Sequence, residues 1–326
     1  MKNIVNTIDY DSERPLITFL LMSYNQEQFI REAVTGAFEQ TYSPLEILLT
    51  DDCSTDRTFE IMNKMAATYQ GPHKIVLNRN TANLGIGAHI NRAMKLVKGE
   101  LIVAAAGDDV SLPERTTKLY EEWHGTGRSA YSLFSDARLV DEDGQHLKNL
   151  FAEKLPQQAN SLEEAIKRGG IGVAGCTHIF SRKTFDVFGP MDDQVMAEDM
   201  VIPFRSLLLG NISFVAAPLV LYRVHGGNVS MGSTNYPSHA KRRREVENQR
   251  AVMHTWLNDV RKASSEGIIT TDRGEKLRDL IVANYFWSMI ELKTYNSPFF
   301  AVVVKFLYES ARRFGKMVDK RLRTAN

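Results

Sequence analysis

Two aspartates in succession, Asp108 and Asp109, end the apolar run "ELIVAAAGDD". Adjacent carboxylates raise each other's cost of ionising, so a strand that ends on such a pair needs something positive beside it. A hard divalent cation meets that need. Mg2+ and Mn2+ favour oxygen ligands and often use one or two carboxylates, with phosphates completing the shell. A second pair, Asp51 and Asp52, ends "LEILLTDD" and is followed by Ser54, Thr55 and Asp56, which offer caps for a following helix. One carboxylate of this pair, facing a crevice, would accept the imide N–H of a pyrimidine base or a sugar hydroxyl. Tyr24, at the end of "LITFLLMSY", would stack on that base. For any single aspartate after a strand, a helix or turn cap is the competing explanation.

The elements that position these residues follow from periodicity. "LITFLLMS" (16–23), "LEILLTDD" (45–52), "KIVLNRN" (74–80) and "ELIVAAAGDD" (100–109) read as buried strands. Between them, residues 26–40, 58–70 and 85–99 carry helical spacing, and the alternation predicts a parallel α/β sheet. In such sheets ligands bind beyond the carboxyl ends of the strands. Every polar cluster named above, with residues 78–83, follows a strand end, so all should converge on one crevice. Farther on, we read a strand and a hairpin turn at Asp143-Gly144, a short helix in "SLEEAIKRGG" with a Ser161 cap, and a strand then a helix in "CTHIFSRKTFDVFG". An acid-started helix follows in "EDMVIPFRSLLLG", then a last extended segment in "ISFVAAPLVLYRVHGGN". The glycine-rich "GGIGVAGC" would let backbone approach a bound ligand, or serve as a turn. From about residue 240 the chain turns helical and basic, with a further helix expected from Ser297-Pro298. Trp123, Trp256 and Trp287 read as core or interface residues.

The chain has 326 residues, 43% hydrophobic and 24% charged, which suits a globular domain with an appendage. Two cysteines, Cys53 and Cys176, provide neither a disulfide framework nor a zinc spacing, as expected in a reducing compartment. No secretory signal pattern and no long apolar run is read in the sequence, so a cytoplasmic protein without a membrane span is expected. The net charge of +1 hides an asymmetry: from Lys241 onward 18 Lys and Arg face 10 Asp and Glu, leaving 22 against 29 before it. A basic tail on an acidic body suits an anionic surface, with membrane more natural than nucleic acid, or it is a solvated helical face. The tail helices are expected to pack on the body, on a partner chain in a homo-oligomer, or on lipid headgroups.

The order and spacing of strand–SYN, strand–DDCSTD, "NLG" and "GDD" resemble the family 2 inverting glycosyltransferases of GT-A fold, over roughly residues 15 to 230. The resemblance implies a Rossmann-like, mostly parallel sheet flanked by helices. A catalytic domain over 1–235 and a helical basic C-terminal extension over 236–326 are then expected. It further implies that Ser23 and Tyr24 line the nucleotide base, that Asp52 binds it, and that Asn83 and Gly85 lie against the nucleoside. Asp108 would touch the ribose or sugar, and Asp109 the metal, Mg2+ or Mn2+. In "MAEDM" the second acid, Asp199, matches the catalytic base, and His225 in "YRVHGGN" matches a histidine that completes the metal shell or touches the diphosphate. The implied reaction moves a sugar from a UDP- or dTDP-type donor to a hydroxyl of a saccharide acceptor. A lipid-linked acceptor at the inner membrane face, in bacterial surface polysaccharide synthesis, fits the basic tail. Two positions depart from the family pattern: His89-Ile90 stands where many members carry an Arg before Asn91, and Gly107 where many have an acid or Ser. A nucleotidyltransferase would show a glycine-rich basic loop where this chain has "MSYNQEQF", and an inactive sugar-binding module would not need both acid pairs.

Overall fold

The computed structural model describes residues 14–150, 161–226, 228 and 238–294. It opens with strands β1 (Ile17–Ser23), β2 (Leu45–Asp51), β3 (Lys74–Arg79) and β4 (Leu101–Ala106), alternating with helices α1 (Ile30–Phe38), α2 (Thr58–Thr68) and α3 (Ile86–Met94). Next come β5 (Val110–Ser111), α4 (Arg115–Gly125), β6 (Ala130–Val140), β7 (His146–Asn149) and α5 (Leu162–Arg168). A 3-10 turn (Gly175–Thr177) leads to β8 (His178–Ser181), α6 (Lys183–Asp186), α7 (Glu198–Leu209) and β9 (Asn211–Arg223). Helices α8 (Ser238–Ser265) and α9 (Thr271–Thr294) close the described chain.

The strands form one sheet in the order β3-β2-β1-β4-β8-β6-β9-β5, with β7 paired to β6. Strands β1 to β4 are parallel, β8 runs against both its neighbours, and β6 and β9 are parallel to each other. A sheet buried on both faces needs strands that are apolar almost throughout. Short of their polar ends, β1 and β2 are so apart from Thr18, Glu46 and Thr50, of which Thr18 donates to Glu46 at 3.2 Å. Phe19, Leu21, Ile47 and Leu49 pack towards α1, α2 and α4, while Leu20, Leu48, Ile102 and Ala104 face α3, α5, α7, α8 and α9. The architecture is thus three layers, helices on both sides of a mostly parallel sheet, as the sequence implied.

Several local expectations meet their physical cause. Ser161 caps α5 by accepting the Glu164 N–H at 3.1 Å, and Gly169 ends it with φ of 73°, a left-handed conformation that suits glycine. Helix α4 and the two-residue β5 escaped the sequence reading. The inward face of α4 rests on only a few apolar residues, Leu119, Tyr120 and Trp123, within a polar segment.

The described part of the basic tail is continuous with the body. Val252, Trp256, Val260 and Leu277 share one apolar cluster with Ile166 of α5 and Phe204 of α7. The Trp256 ring stacks on Phe204 with centroids 4.5 Å apart, and its Nε1–H donates to the Met200 carbonyl at 3.0 Å. Arg205, fully buried, donates to both oxygens of Asp259 at 2.8 and 3.1 Å. Among the described residues no helix is long and apolar enough to cross a membrane. The expected division at residue 235, the helix from Ser297 and the ring of Trp287 lie outside the described residues; Trp123 and Trp256 are core residues.

Candidate active site

Strand register gathers the polar clusters. Ser23 lies opposite Asp51, and Met22 opposite Ala106, so β1, β2 and β4 end level at one edge of the sheet. Gly107 carries the chain over that edge in close contact: a Cβ there would lie 2.4 Å from Gln26 Oε1 and 2.9 Å from Ser23 Cβ. Steric room therefore accounts for glycine at this departure from the family pattern. Strand β9, antiparallel to β5 with Leu221 opposite Val110, then brings Arg223 and His225 to the aspartate pair.

The two aspartates face different surroundings. Asp108 Oδ2 lies 3.0 Å from His225 Nε2, and this hydrogen bond is the main reason the imidazole's pKa is raised. Asp109 turns inward. It is 6% exposed, and its Oδ1 accepts the Arg223 backbone N–H at 2.9 Å. Burial, then the neighbouring Asp108 charge, pushes its carboxyl up to about 7, partly countered by the Arg223 N–H, the Cys176 thiol and Arg115. The expected metal contact of Asp109 thus meets a carboxylate held by protein donors, whereas Asp108 is the one beside the histidine.

Positive charge does stand beside the pair, in the protein itself. Arg115 is fully buried and donates to Ser111 Oγ at 2.8 Å and to the Ala104 carbonyl at 2.7 Å. Arg223 is 2% exposed, and its Nε donates to the Asp108 carbonyl at 3.2 Å. Neither arginine was singled out from sequence. Arg223 carried a usable signal, a lone charge ending an apolar strand, but Arg115 sits in an ordinary polar helix start.

The 3-10 turn joins the two acid pairs. Cys176 contacts Asp109 from one side of it. From the other, a Cβ on Gly175 would lie 2.3 Å from Glu198 Oε1 and 3.7 Å from Asp199 Cβ. Within "GGIGVAGC", expected to approach a bound ligand or to form a turn, the backbone at Gly175 thus lies close against the acids at the start of α7. Burial pushes the Asp199 carboxyl up to about 6, opposed by the Gly175 N–H. Glu198 is pushed up to about 8 by burial and by the Asp199 charge. A carboxylate with its pKa near neutrality is suited to accept a proton. Asp108-Asp109 and Glu198-Asp199, far apart in sequence, therefore flank one three-residue turn.

The nucleoside-side residues divide. Tyr24 is 42% exposed, open to stacking, and Asn83 is exposed with its Oδ1 accepting the Gly85 N–H at 3.1 Å. Gly85, with φ of 80°, opens α3 and has open space around its Cα. Ser23 points inward, towards the Thr50 carbonyl at 3.3 Å and Met62 Sδ at 3.2 Å. Asp52 is 3% exposed and accepts Asn80 Nδ2 at 2.8 Å, the Leu84 N–H at 3.0 Å and the Gly85 N–H at 2.9 Å. These three donors tie Asp52 to the loop before α3, the loop that carries Asn83 and Gly85. Asp51, fully buried, likewise accepts the Ser54 N–H at 2.9 Å and caps its own turn. His89 occupies its departure from the family pattern as a buried residue 2.8 Å from Thr50 Oγ1, and burial lowers its pKa.

Among the described residues no three His, Cys, Asp or Glu side chains converge as a metal cage. Asp108 and His225 supply one carboxylate and one imidazole. That pair fits a divalent cation whose remaining positions are filled by phosphate oxygens and water.

Residues 18–188 match the family model described as Glycosyl transferase family 2. An uncharacterized glycosyltransferase of Methanocaldococcus jannaschii is 28% identical over 146 residues, 44% of this chain and 49% of that protein. The chain thus spans about half the length of that curated relative, and 60% of the length of others it matches. Among solved structures, the mannosyltransferase PcManGT from Pyrobaculum calidifontis, in complex with GDP-Man and Mn2+, has a TM-score of 0.52 at 16% identity, over 92% of this chain and 81% of that one. S. aureus TarS 1-349 in complex with UDP-GlcNAc has a TM-score of 0.50 at 14% identity, over 86% and 91%. At these identities the likeness is one of fold.

Proposed function

Because the chain belongs to glycosyl transferase family 2, we propose that it transfers a sugar, with inversion at the anomeric carbon, from a nucleoside-diphosphate sugar to a hydroxyl of a glycan acceptor. The observation that carries this reading is the turn Gly175–Thr177, which has a donor-side acid pair at Cys176 and an acceptor-side acid pair at Gly175.

Inversion requires the acceptor oxygen to attack the anomeric carbon from the face opposite the leaving diphosphate. Asp199 takes the proton from that oxygen, in the manner of the carboxylate base of inverting glycosidases. Its raised pKa makes it a stronger base than an exposed aspartate while leaving it ionised at neutral pH. Glu198, pushed up by burial and by the Asp199 charge, makes it costly for both acids of the pair to ionise together. On the donor side Tyr24 stacks on the base, and Asp52 supports the 80–85 loop against the nucleoside. Asp108 and His225 would hold Mg2+ or Mn2+, beside Asp109, whose Oδ1 is held by the Arg223 N–H. A cation bound there would neutralise charge on the departing diphosphate.

A bacterial surface polysaccharide is the acceptor class we favour. The surplus of 18 basic over 10 acidic residues from Lys241 onward suits a lipid-linked acceptor met at an anionic membrane face. The test is a panel of UDP-, dTDP- and GDP-sugars with Mn2+, Mg2+ or chelator, followed by NMR of the product anomer. Metal-dependent release of nucleoside diphosphate and an inverted linkage are expected. A retained configuration, or formation of a sugar nucleotide from a nucleoside triphosphate, would overturn the reading.

A further inference from the structure

Arg223 gathers more of the donor side than any residue singled out from sequence. Its backbone N–H holds Asp109 Oδ1 at 2.9 Å, and its Nε holds the Asp108 carbonyl at 3.2 Å. Nη1 donates to the carbonyls of Glu142 at 2.8 Å and Asp141 at 3.3 Å, in the hairpin after β6. Nη2 donates to Glu32 Oε2 of α1 at 2.6 Å, and the guanidinium lies 4.9 Å over the Phe29 ring. Phe29 in turn packs on the His225 ring, centroids 4.8 Å apart. The Arg223 carbonyl accepts Asn228 Nδ2 at 3.0 Å, and Asn228 Oδ1 accepts the His225 N–H at 2.6 Å. One residue thus ties α1, the hairpin, both aspartates and the histidine turn, its guanidinium reaching α1, the hairpin and Asp108 and its backbone reaching Asp109 and the histidine turn.

We propose that Arg223 is the positioning residue of the donor side: it clamps the Asp108 backbone and the His225 turn to α1, and so sets the Asp108–His225 contact. The proposal rests on the reading of this site as the diphosphate end. A lysine cannot replace it. The planar fork reaches four acceptors, the carbonyls of Asp108, Asp141 and Glu142 and the Glu32 carboxylate, while stacking on a ring, and an ammonium is a compact point charge on a flexible stem. Glu32, whose side chain is 61% exposed, is the outer anchor of the clamp.

The experiment is proton NMR of the full chain without metal, following the ring N–H of His225 hydrogen-bonded to Asp108, assigned with His225→Gln. In Arg223→Lys its exchange with water should speed by roughly tenfold or more, the factor one charge-assisted hydrogen bond is worth. In Glu32→Gln, at the exposed rim, roughly two- to fivefold is expected. With donor and Mn2+, both variants should raise the donor KM more than they lower kcat. A merely structural arginine would lower melting temperature without this selectivity. If Arg223→Lys does not fold, Glu32→Gln decides alone. Exchange unchanged in the folded variants would overturn the proposal. Failure of transfer by the wild type would instead count against the glycosyltransfer reading, leaving the exchange result to stand for the clamp.

Discussion

Replacing Asp199 with asparagine should damage the enzyme and stabilise the fold at once. Burial lifts this carboxyl from 3.8 to about 6. At about 1.4 kcal/mol per pKa unit, the native state holds the ionised form at a cost of about 3 kcal/mol. The sign follows from proton binding. Between the ordinary and the raised pKa the native chain binds more protons than the unfolded one, so stability falls as pH rises through that window and stays lower above it. An amide of the same shape keeps the acceptor facing the Gly175 N–H and carries no charge. Asp199→Asn should therefore melt about 5 °C above wild type near pH 8, with no gain near pH 4, where both carboxyls are protonated. Glu198 is relieved as well, since the Asp199 charge is part of what raises it. Transfer should drop by roughly 10²- to 10⁴-fold, the range for loss of a general base. Differential scanning fluorimetry across pH, beside a nucleoside-diphosphate release assay, measures both. Wild-type turnover by this variant would refute the assignment of the base. An equal stabilisation near pH 4 and pH 8 would refute the electrostatic reasoning.

Three further outcomes are expected. The acid limb of kcat/KM should rise with pH through an apparent pKa of about 6, as Asp199 loses its proton, and a profile flat down to about pH 5 would count against it. Gly175→Ala places a Cβ 2.3 Å from Glu198 Oε1, so transfer should fall at least tenfold while donor binding, measured by calorimetry, stays within about twofold. Asp259→Ala leaves Arg205 buried without its partner and should cost about 3–5 kcal/mol in denaturant unfolding, since α8 is part of the same core as α7.

The fold was legible in the sequence because β1, β2 and β4 bury both faces and so are apolar apart from Thr18, Glu46 and Thr50, and because their polar ends share a register. Helix α4 was not, since Leu119, Tyr120 and Trp123 make too sparse a stripe among polar neighbours. The carboxylate pairs were legible as acids at a strand end and a helix start that would gather near one another, but the orientation of each member was not. Spacing cannot say that Asp109 meets the Arg223 N–H while Asp108 meets His225, because that follows from how β9 pairs with β5. Asp52 reads as a ligand-facing acid in sequence, yet the N–H groups of Leu84 and Gly85 take its oxygens. The residues that hold the site together, Arg223 and Arg115, act through tertiary contacts that leave little local pattern. Gly175 stood in a glycine-rich stretch, and only the position of α7 reveals how near it comes to Glu198 and Asp199.

The central claim is that the Asp108–His225 end serves the donor and the Asp199 end serves the acceptor within one site. Calorimetric titration of the cognate donor with Mn2+ into Asp108→Asn and Asp199→Asn tests it most directly. The account predicts donor affinity lost by roughly tenfold or more in the first, and kept within about twofold in the second despite lost transfer. Equal losses in both, or none in either, would contradict it.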